Sequence, residues 1–344
     1  MDGNSPGASA RFQDIKAAKE RISGAAANDY LEGVSHLAYS PDGRHLYVTS
    51  GPDHAITLFG GVLSTRTITS GHRALEHLFY PQDILINHSG GTVYVADTER
   101  KSVIVFHRSS DTGDLTFLQE VKFEATFRKM ALTPDSRHLY VMTYKSMNGY
   151  HAGALTLYAC DKDSGELTFQ HTVKDEVYSD GVVHPEYRGL LSSMSMCISN
   201  DGRNLYVGEE DARVRVWERD VATGRLTYWN VVHLGDSDTP RKSVACFATD
   251  KDNRYLWAIT RNDPAVILLK RFNSRGMLMV ERDWPRSKEL PGIAAAYDAI
   301  TSSDGRQLYL TTYWAALTAL DIIRPEDFAN EAGEGKESSI GSNR

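Results

Sequence analysis

Short polar turns alternate with runs in which every second residue is apolar, and this alternation continues along most of the chain. Ser40-Pro-Asp-Gly-Arg-His-Leu-Tyr-Val48 is the first clear instance. Close copies start at residues 87, 133, 199, 249 and 302; the one at 249 is a residue longer. A Ser/Thr/Asn-x-Asp-Gly turn feeding a β-branched and aromatic run predicts a tight connection between two antiparallel strands. Each repeat continues into a second apolar run and a Thr-Gly or Ser-Gly turn. A third run then opens on Leu-Thr-Phe or Leu-Thr-Tyr, as at Leu115, Leu167 and Leu226. In the second repeat this predicts strands over 81–86, 91–97, 102–107 and 115–122. Four antiparallel strands per repeat of roughly 50 residues is the blade of a β-propeller.

Six copies predict six blades, with seven as the alternative if the long gap after the third copy hides further strands. The sixth repeat shows three strands, near 296–301, 307–312 and 315–322. Residues 11–17 are placed to supply its fourth, closing the ring with an N-terminal strand. The domain is therefore read as one all-β propeller over 11–324, with polar tails at 1–10 and 325–344 expected to be disordered.

Composition narrows the chemistry. Of 344 residues, 41% are hydrophobic and 24% charged, ordinary values for a soluble globular protein. A net charge of −7 disfavours nucleic acid or an acidic membrane as partner. No apolar run reaches membrane-span length, and 1–11 has no hydrophobic signal core. The three cysteines, Cys160, Cys197 and Cys246, lie inside apolar runs without CxxC spacing. Buried free thiols in a reducing, cytoplasmic compartment are expected. No phosphate-binding Gly-rich loop, HExxH or GxSxG is present, and the histidines lack ligand spacing, so no cofactor or fixed metal is expected. A calcium ion between Asp83, Asp298 and backbone carbonyls is the alternative.

The repeated turn and strand chemistry resembles the lactonase-type β-propeller family over residues 11–322. The features that carry the likeness are Ser-Pro-Asp-Gly-Arg-His-Leu-Tyr-Val, an Ile-x-Leu-Phe strand, and an Asp-x-x-Thr-Gly-x-Leu-Thr-Phe segment. That family includes 6-phosphogluconolactonase-like hydrolases and carboxymuconate cyclases, and similar propellers serve fungal biosynthetic pathways. Its cyclase-type members carry Pro-His and Pro-Arg-His where this chain has Pro81-Gln82-Asp83 and Pro240-Arg241-Lys242.

Within each blade the first-to-second and third-to-fourth connections are short. The longer ones, 71–80, 144–153, 174–189, 234–242 and 284–291, all fall on the other face, where binding residues are expected. Four residues before each repeated turn stand His36, Asp83, Lys129, Ser195, Cys246 (or Ala245) and Asp298. Alternation to apolar neighbours places these groups on one side of the inner strands, around the channel. An imidazole, two carboxylates and an ammonium near one axis suit acid–base chemistry. His36 or Asp83 is read as general base, with Lys129 and Arg261 stabilising an oxyanion.

A second tier comes from the ends of the second strands: His54, Asp97, Lys145, Glu209, Arg261 and Tyr313. Arg128 and Arg241, which precede inner strands, join Glu209, Arg261, Asp298 and Tyr313 as candidate substrate-binding residues, giving a cationic rim for an anionic ligand. The resemblance implies lactone hydrolysis, or isomerisation, dehydration or cyclisation, of an anionic or polyoxygenated cyclic substrate. The alternative is a non-catalytic scaffold gripping a protein or peptide through the same face.

Overall fold

The structure is a computed structural model. It describes residues 13–14, 34–60, 64–68, 77–147, 150–177, 190, 192–235, 243–250, 252–261, 263–272, 275–285, 293, 296–301, 307–312 and 317–321. Both expected tails lie outside these residues. The chain opens with β1 (Gln13–Asp14). Blade one is then β2 (Val34–Tyr39), β3 (His45–Ser50), β4 (Ala55–Gly60) and β5 (Ser64–Ile68). Blade two is β6 (Pro81–Ile86), β7 (Thr92–Asp97), β8 (Ser102–Arg108) and β9 (Leu115–Lys122). Blade three is β10 (Thr126–Leu132), β11 (His138–Met147), β12 (Tyr150–Cys160) and β13 (Leu167–Val177). Blade four is β14 (Ser193–Ile198), β15 (Asn204–Glu209), β16 (Arg213–Arg219) and β17 (Leu226–His233). Blade five is β18 (Val244–Thr249), β19 (Tyr255–Thr260), β20 (Ala265–Phe272) and β21 (Met277–Pro285). Blade six is β22 (Ala296–Thr301), β23 (Gln307–Thr312) and β24 (Leu317–Asp321), completed by β1.

Every blade is an antiparallel meander, and the closing strand pairs Gln13 with Ala319 and Asp14 with Thr318. The inner strands β2, β6, β10, β14, β18 and β22 neighbour one another in chain order, and β22 returns to β2. Among the described residues the ring therefore closes on six four-stranded sheets, with the N-terminal strand where the sequence predicts it. Among these residues no helix is long and apolar enough to cross a membrane.

The repeated turns owe their shape to their own side chains. Ser40 Oγ donates to Asp42 Oδ1 (2.5 Å), Asp42 Oδ1 accepts from Arg44 N (3.0 Å), and His45 N donates to Ser40 Oγ (2.9 Å). Thr133-Asp135-His138 and Ser199-Asp201-Asn204 repeat the pattern. Such local bonds favour the turn over continued strand. Gly43, at φ 70°, occupies the left-handed position that the reversal requires.

The core lies between blades. Tyr47, Ile56 and Leu58 of blade one pack on Ile84, Val93, Val95, Ile104 and Phe106 of blade two. On the short-turn face an arginine clasps three of these turns to the next blade. Arg108 reaches back to Asp42 Oδ2 (3.0 Å), Tyr47 OH (3.1 Å) and the Gly90 carbonyl (2.8 Å). Arg219 does the same to Asp135 (3.4 Å) and His138 Nδ1 (2.6 Å), and Arg271 to Asp201 (2.8 Å) and Asn204 (2.6 Å). The most repeated residues of the sequence are thus joints between blades.

Candidate functional site

All six inner strands break register at one level: between Val34 and Leu37, Pro81 and Asp83, Phe127 and Lys129, Ser193 and Ser195, Val244 and Cys246, and Ala296 and Asp298. An irregularity of this kind bends a strand and re-aims its side chains, and such breaks are frequent beside active sites. Because every blade has it, counting back from the turn aligns the same level in each copy.

At that level four groups meet. Lys129 Nζ lies 3.4 Å from Asp83 Oδ1 and 3.5 Å from Asp298 Oδ1. Blades three and six are opposite in a ring of six, so the second contact spans the channel axis. Asp83 is fully committed: Oδ1 also accepts from Ile84 N (3.0 Å), and Oδ2 from Met130 N (3.0 Å). Burial alone would raise its carboxyl; Lys129, His36 and the two backbone N–H groups outweigh this and hold it below the ordinary carboxylate range. Burial pushes the Lys129 ammonium down, but Asp298 and Asp83 prevail and keep it above the ordinary lysine value.

His36, buried, donates from Nδ1 to the Gln82 carbonyl, which Ser35 Oγ (2.8 Å) and Thr49 Oγ1 (3.3 Å) also reach. Its Nε2 is left facing Asp83 Oδ1 at 3.9 Å. In the neutral ring this tautomer carries its lone pair on Nε2. Lys129 and Asp298 retain 13% and 16% side-chain exposure, against 5% for His36 and 1% for Asp83, so they are the more open members of the cluster.

The rest of the ring differs. Ser195 Oγ donates to the Val244 carbonyl (2.7 Å) and joins two blades. Burial pushes the Cys197 and Cys246 thiols up, and Cys160 up to about 12, so none is an activated nucleophile. Among the described residues no three His, Cys, Asp or Glu side chains are grouped to hold a metal ion. The space between Asp83 and Asp298, where a calcium ion is the sequence alternative, contains the Lys129 ammonium.

At the rim, Arg128 lies over the Tyr144 ring (5.0 Å) with Nη1 at 3.9 Å from Met194 Sδ. Arg261 lies over Tyr297 (4.9 Å) and donates to the Ala296 carbonyl (3.1 Å). Arg241 and Tyr313 lie outside the described residues. Glu209 is not at the rim. It is completely buried, paired with Arg215 and with Arg213 Nε (2.9 Å), and burial pushes its carboxyl up to about 7 against their pull. Asp97 likewise accepts backbone N–H bonds from Phe79, Tyr80 and Arg100, and His54 bonds the Phe79 carbonyl. These residues hold loops to blades. Tyr144, Met194 and Tyr297, which back the two arginines, carry no signal in the sequence beyond their place beside the register break.

The family described as lactonase, 7-bladed β-propeller, matches residues 3–128, and a WD domain, G-beta repeat, matches 189–218. The chain thus resembles the lactonase-type propellers, with six sheets described here against seven in that description. No curated protein matches the sequence. Among solved structures, a Pseudomonas aeruginosa periplasmic gluconolactonase aligns at 17% identity and TM-score 0.60, over 84% of this chain and 85% of that one. A Bacteroides uniformis protein assigned provisionally to the 6-phosphogluconolactonases aligns at 15% and 0.60, over 80% and 77%. The propeller domain of Myceliophteria thermophila Cps50 (Swd1) aligns at 14% and 0.55, over 84% and 83%. At such identities the likeness establishes the fold.

Proposed function

We propose that the protein is a small-molecule enzyme of the lactonase-like group, acting on an anionic cyclic substrate at the loop-rich mouth of the channel. The observation that carries this reading is the Lys129 ammonium held on the axis between Asp83 and Asp298, with His36 Nε2 beside it. Of the two candidate bases His36 is preferred, because Asp83 is fully hydrogen-bonded and holds its proton weakly. In the proposed reaction His36 Nε2 takes a proton from water or from an acidic carbon of the substrate. Lys129 stabilises the oxyanion that develops on the adjacent carbonyl, and Asp83 and Asp298 keep the ammonium in place. Arg128 and Arg261 orient the anionic group of the substrate. Glu209 serves the fold in this scheme. Lactone opening and proton-transfer isomerisation both fit it, and the names of the gluconolactonase-type neighbours favour the first.

The test is turnover of a panel of lactones by the wild type, His36→Gln, Lys129→Met and Lys129→Arg, each checked by circular dichroism. Loss of about 100-fold or more in folded His36→Gln and Lys129→Met, with partial recovery in Lys129→Arg, is the expected result. Equal turnover in all four proteins removes the channel from the mechanism. A scaffold reading draws on the WD match and the Cps50 likeness. It predicts no turnover in any of the four and a partner retained by all of them.

A further inference from the structure

The rim of this channel differs from a sugar site in a way that narrows the substrate. The residues left out of pairing by the register breaks are Gln82, Arg128, Met194, Ala245 and Tyr297, with Ser35 or His36 in blade one. They ring the loop-rich end just above the Lys129 network. Recognition of a polyhydroxylated ring needs a dense set of acceptors and donors. Here the carboxylates nearby, among the described residues, already have partners: Asp83 and Asp298 face Lys129, Asp97 accepts backbone N–H groups, and Glu209 is enclosed by arginines.

Among the described residues, what the rim presents is flat and cationic. Arg128 and Arg261 lie over tyrosine rings, Met194 stands beside Arg128, and the exposed Phe79 (53%) precedes the inner strand of blade two. Among the described residues neither arginine pairs with a carboxylate; the Nε–H of each is buried without a partner, as it also is in Arg219 and Arg271. The more deeply buried Arg108, Arg215, Arg219 and Arg271 each have a carboxylate. Half-buried guanidinium groups without a counter-charge call for one from the ligand.

We infer that the site takes a planar, conjugated ring carrying one carboxylate or enolate oxygen, in preference to a sugar lactone or sugar acid. The unsaturated face lies along the aromatic and thioether surfaces, where stacking does not require hydroxyl partners. The single anionic group sits between the two guanidinium ions. This inference rests on the channel-mouth reading proposed above and sharpens its substrate.

The experiment is calorimetric titration of wild type, Arg128→Met, Arg261→Met and Lys129→Met with three probes: 2-pyrone-5-carboxylate, glucono-1,5-lactone and 6-phosphogluconate. The expected result is pyrone-carboxylate binding about tenfold or more tighter than either sugar compound, and weakened about tenfold in each arginine variant. Equal or tighter binding of a sugar compound overturns the inference. If that binding is lost in Lys129→Met, the channel site stands and only the ring preference falls. Pyrone-carboxylate binding that depends on both arginines upholds the inference, even if turnover proves insensitive to His36 and Lys129 and the catalytic reading falls. Binding of pyrone carboxylate unchanged in both arginine variants, or no binding of any probe, overturns it.

Discussion

Lys129 shows how the same residue serves stability and chemistry. Its ammonium replaces lost water with two carboxylates, and the partners are unequal: Asp83 is buried, with two backbone donors, whereas Asp298 is partly open. Removing one partner of a buried ion pair leaves the other charge uncompensated, at about 3–5 kcal/mol. Asp83→Asn is therefore expected to lower unfolding free energy by about that amount, and Asp298→Asn by distinctly less because solvent compensates part of the charge. Chemical denaturation of both variants checks the order. A larger loss for Asp298→Asn would mean that the axial contact, and not the blade-two anchor, holds the ammonium.

At the scale of the element, every blade repeats the turn, but among the described residues the arginine clasp stands only in blades two, four and five, and its absence from blade three is informative. Cys160 ends β12 where Arg108, Arg219 and Arg271 stand in β8, β16 and β20, each hydrogen-bonding through its N–H to the turn carbonyl of its own blade. The facing turn of blade two has Ser89 and Thr92 where blade one has Asp42 and His45. The carboxylate and the guanidinium are thus absent together. Cys160→Arg alone buries an unpaired cation and is expected to destabilise. Adding Ser89→Asp should restore the clasp, with a coupling energy of about 0.5–3 kcal/mol in a double-mutant cycle of thermal melts. Additive effects would show that the clasp needs more than its two charges.

The same comparison explains what could be read from the sequence. Strands and turns were legible because period-two alternation and side-chain-capped turns are local, and the closing N-terminal strand because the sixth repeat lacks a fourth strand of its own. So was the His36–Asp83–Lys129–Asp298 level, since the register break occurs at one place in every blade. The clasps were not, because Asp42 and Asp135 find their arginines 66 and 84 residues away. Glu209 was read as a rim residue because it ends a second strand. Arg213 and Arg215, just past the turn, fold back onto it, a tertiary event that spacing alone does not reveal.

The whole ring is joined by such buried polar contacts, so its stability should follow pH in separable steps. Burial, and then Arg108 or Arg219, pushes His45 and His138 below the ordinary histidine value. A histidine depressed in the folded state binds its proton in the unfolded chain first. Its contribution is present above about pH 6.5 and is lost as pH falls through that value. Asp83, Asp135 and Asp201 are held below the ordinary carboxylate range: burial opposes the shift in each, but hydrogen bonds and neighbouring cations prevail. Their contribution is complete above about pH 4 and is lost below it. Lys129, raised, acts on the alkaline side, its contribution fading only above about pH 10.5. Glu209, raised to about 7, works the other way and gains stability as pH falls from 7 to about 4.5. Calorimetric Tm against pH should therefore show a first decline below about 6.5 that is smaller than the histidines alone would give, and a steeper one below about 4. The variant His45→Asn/His138→Asn isolates the first step, because Asn204 already occupies that position in blade four and bonds Arg271. It should flatten the curve between pH 7 and 5 and leave the acid limb in place. At about 2 °C per kcal/mol for a large domain, the difference is within reach of calorimetry. A first decline that survives in the variant would assign it to groups outside the clasps.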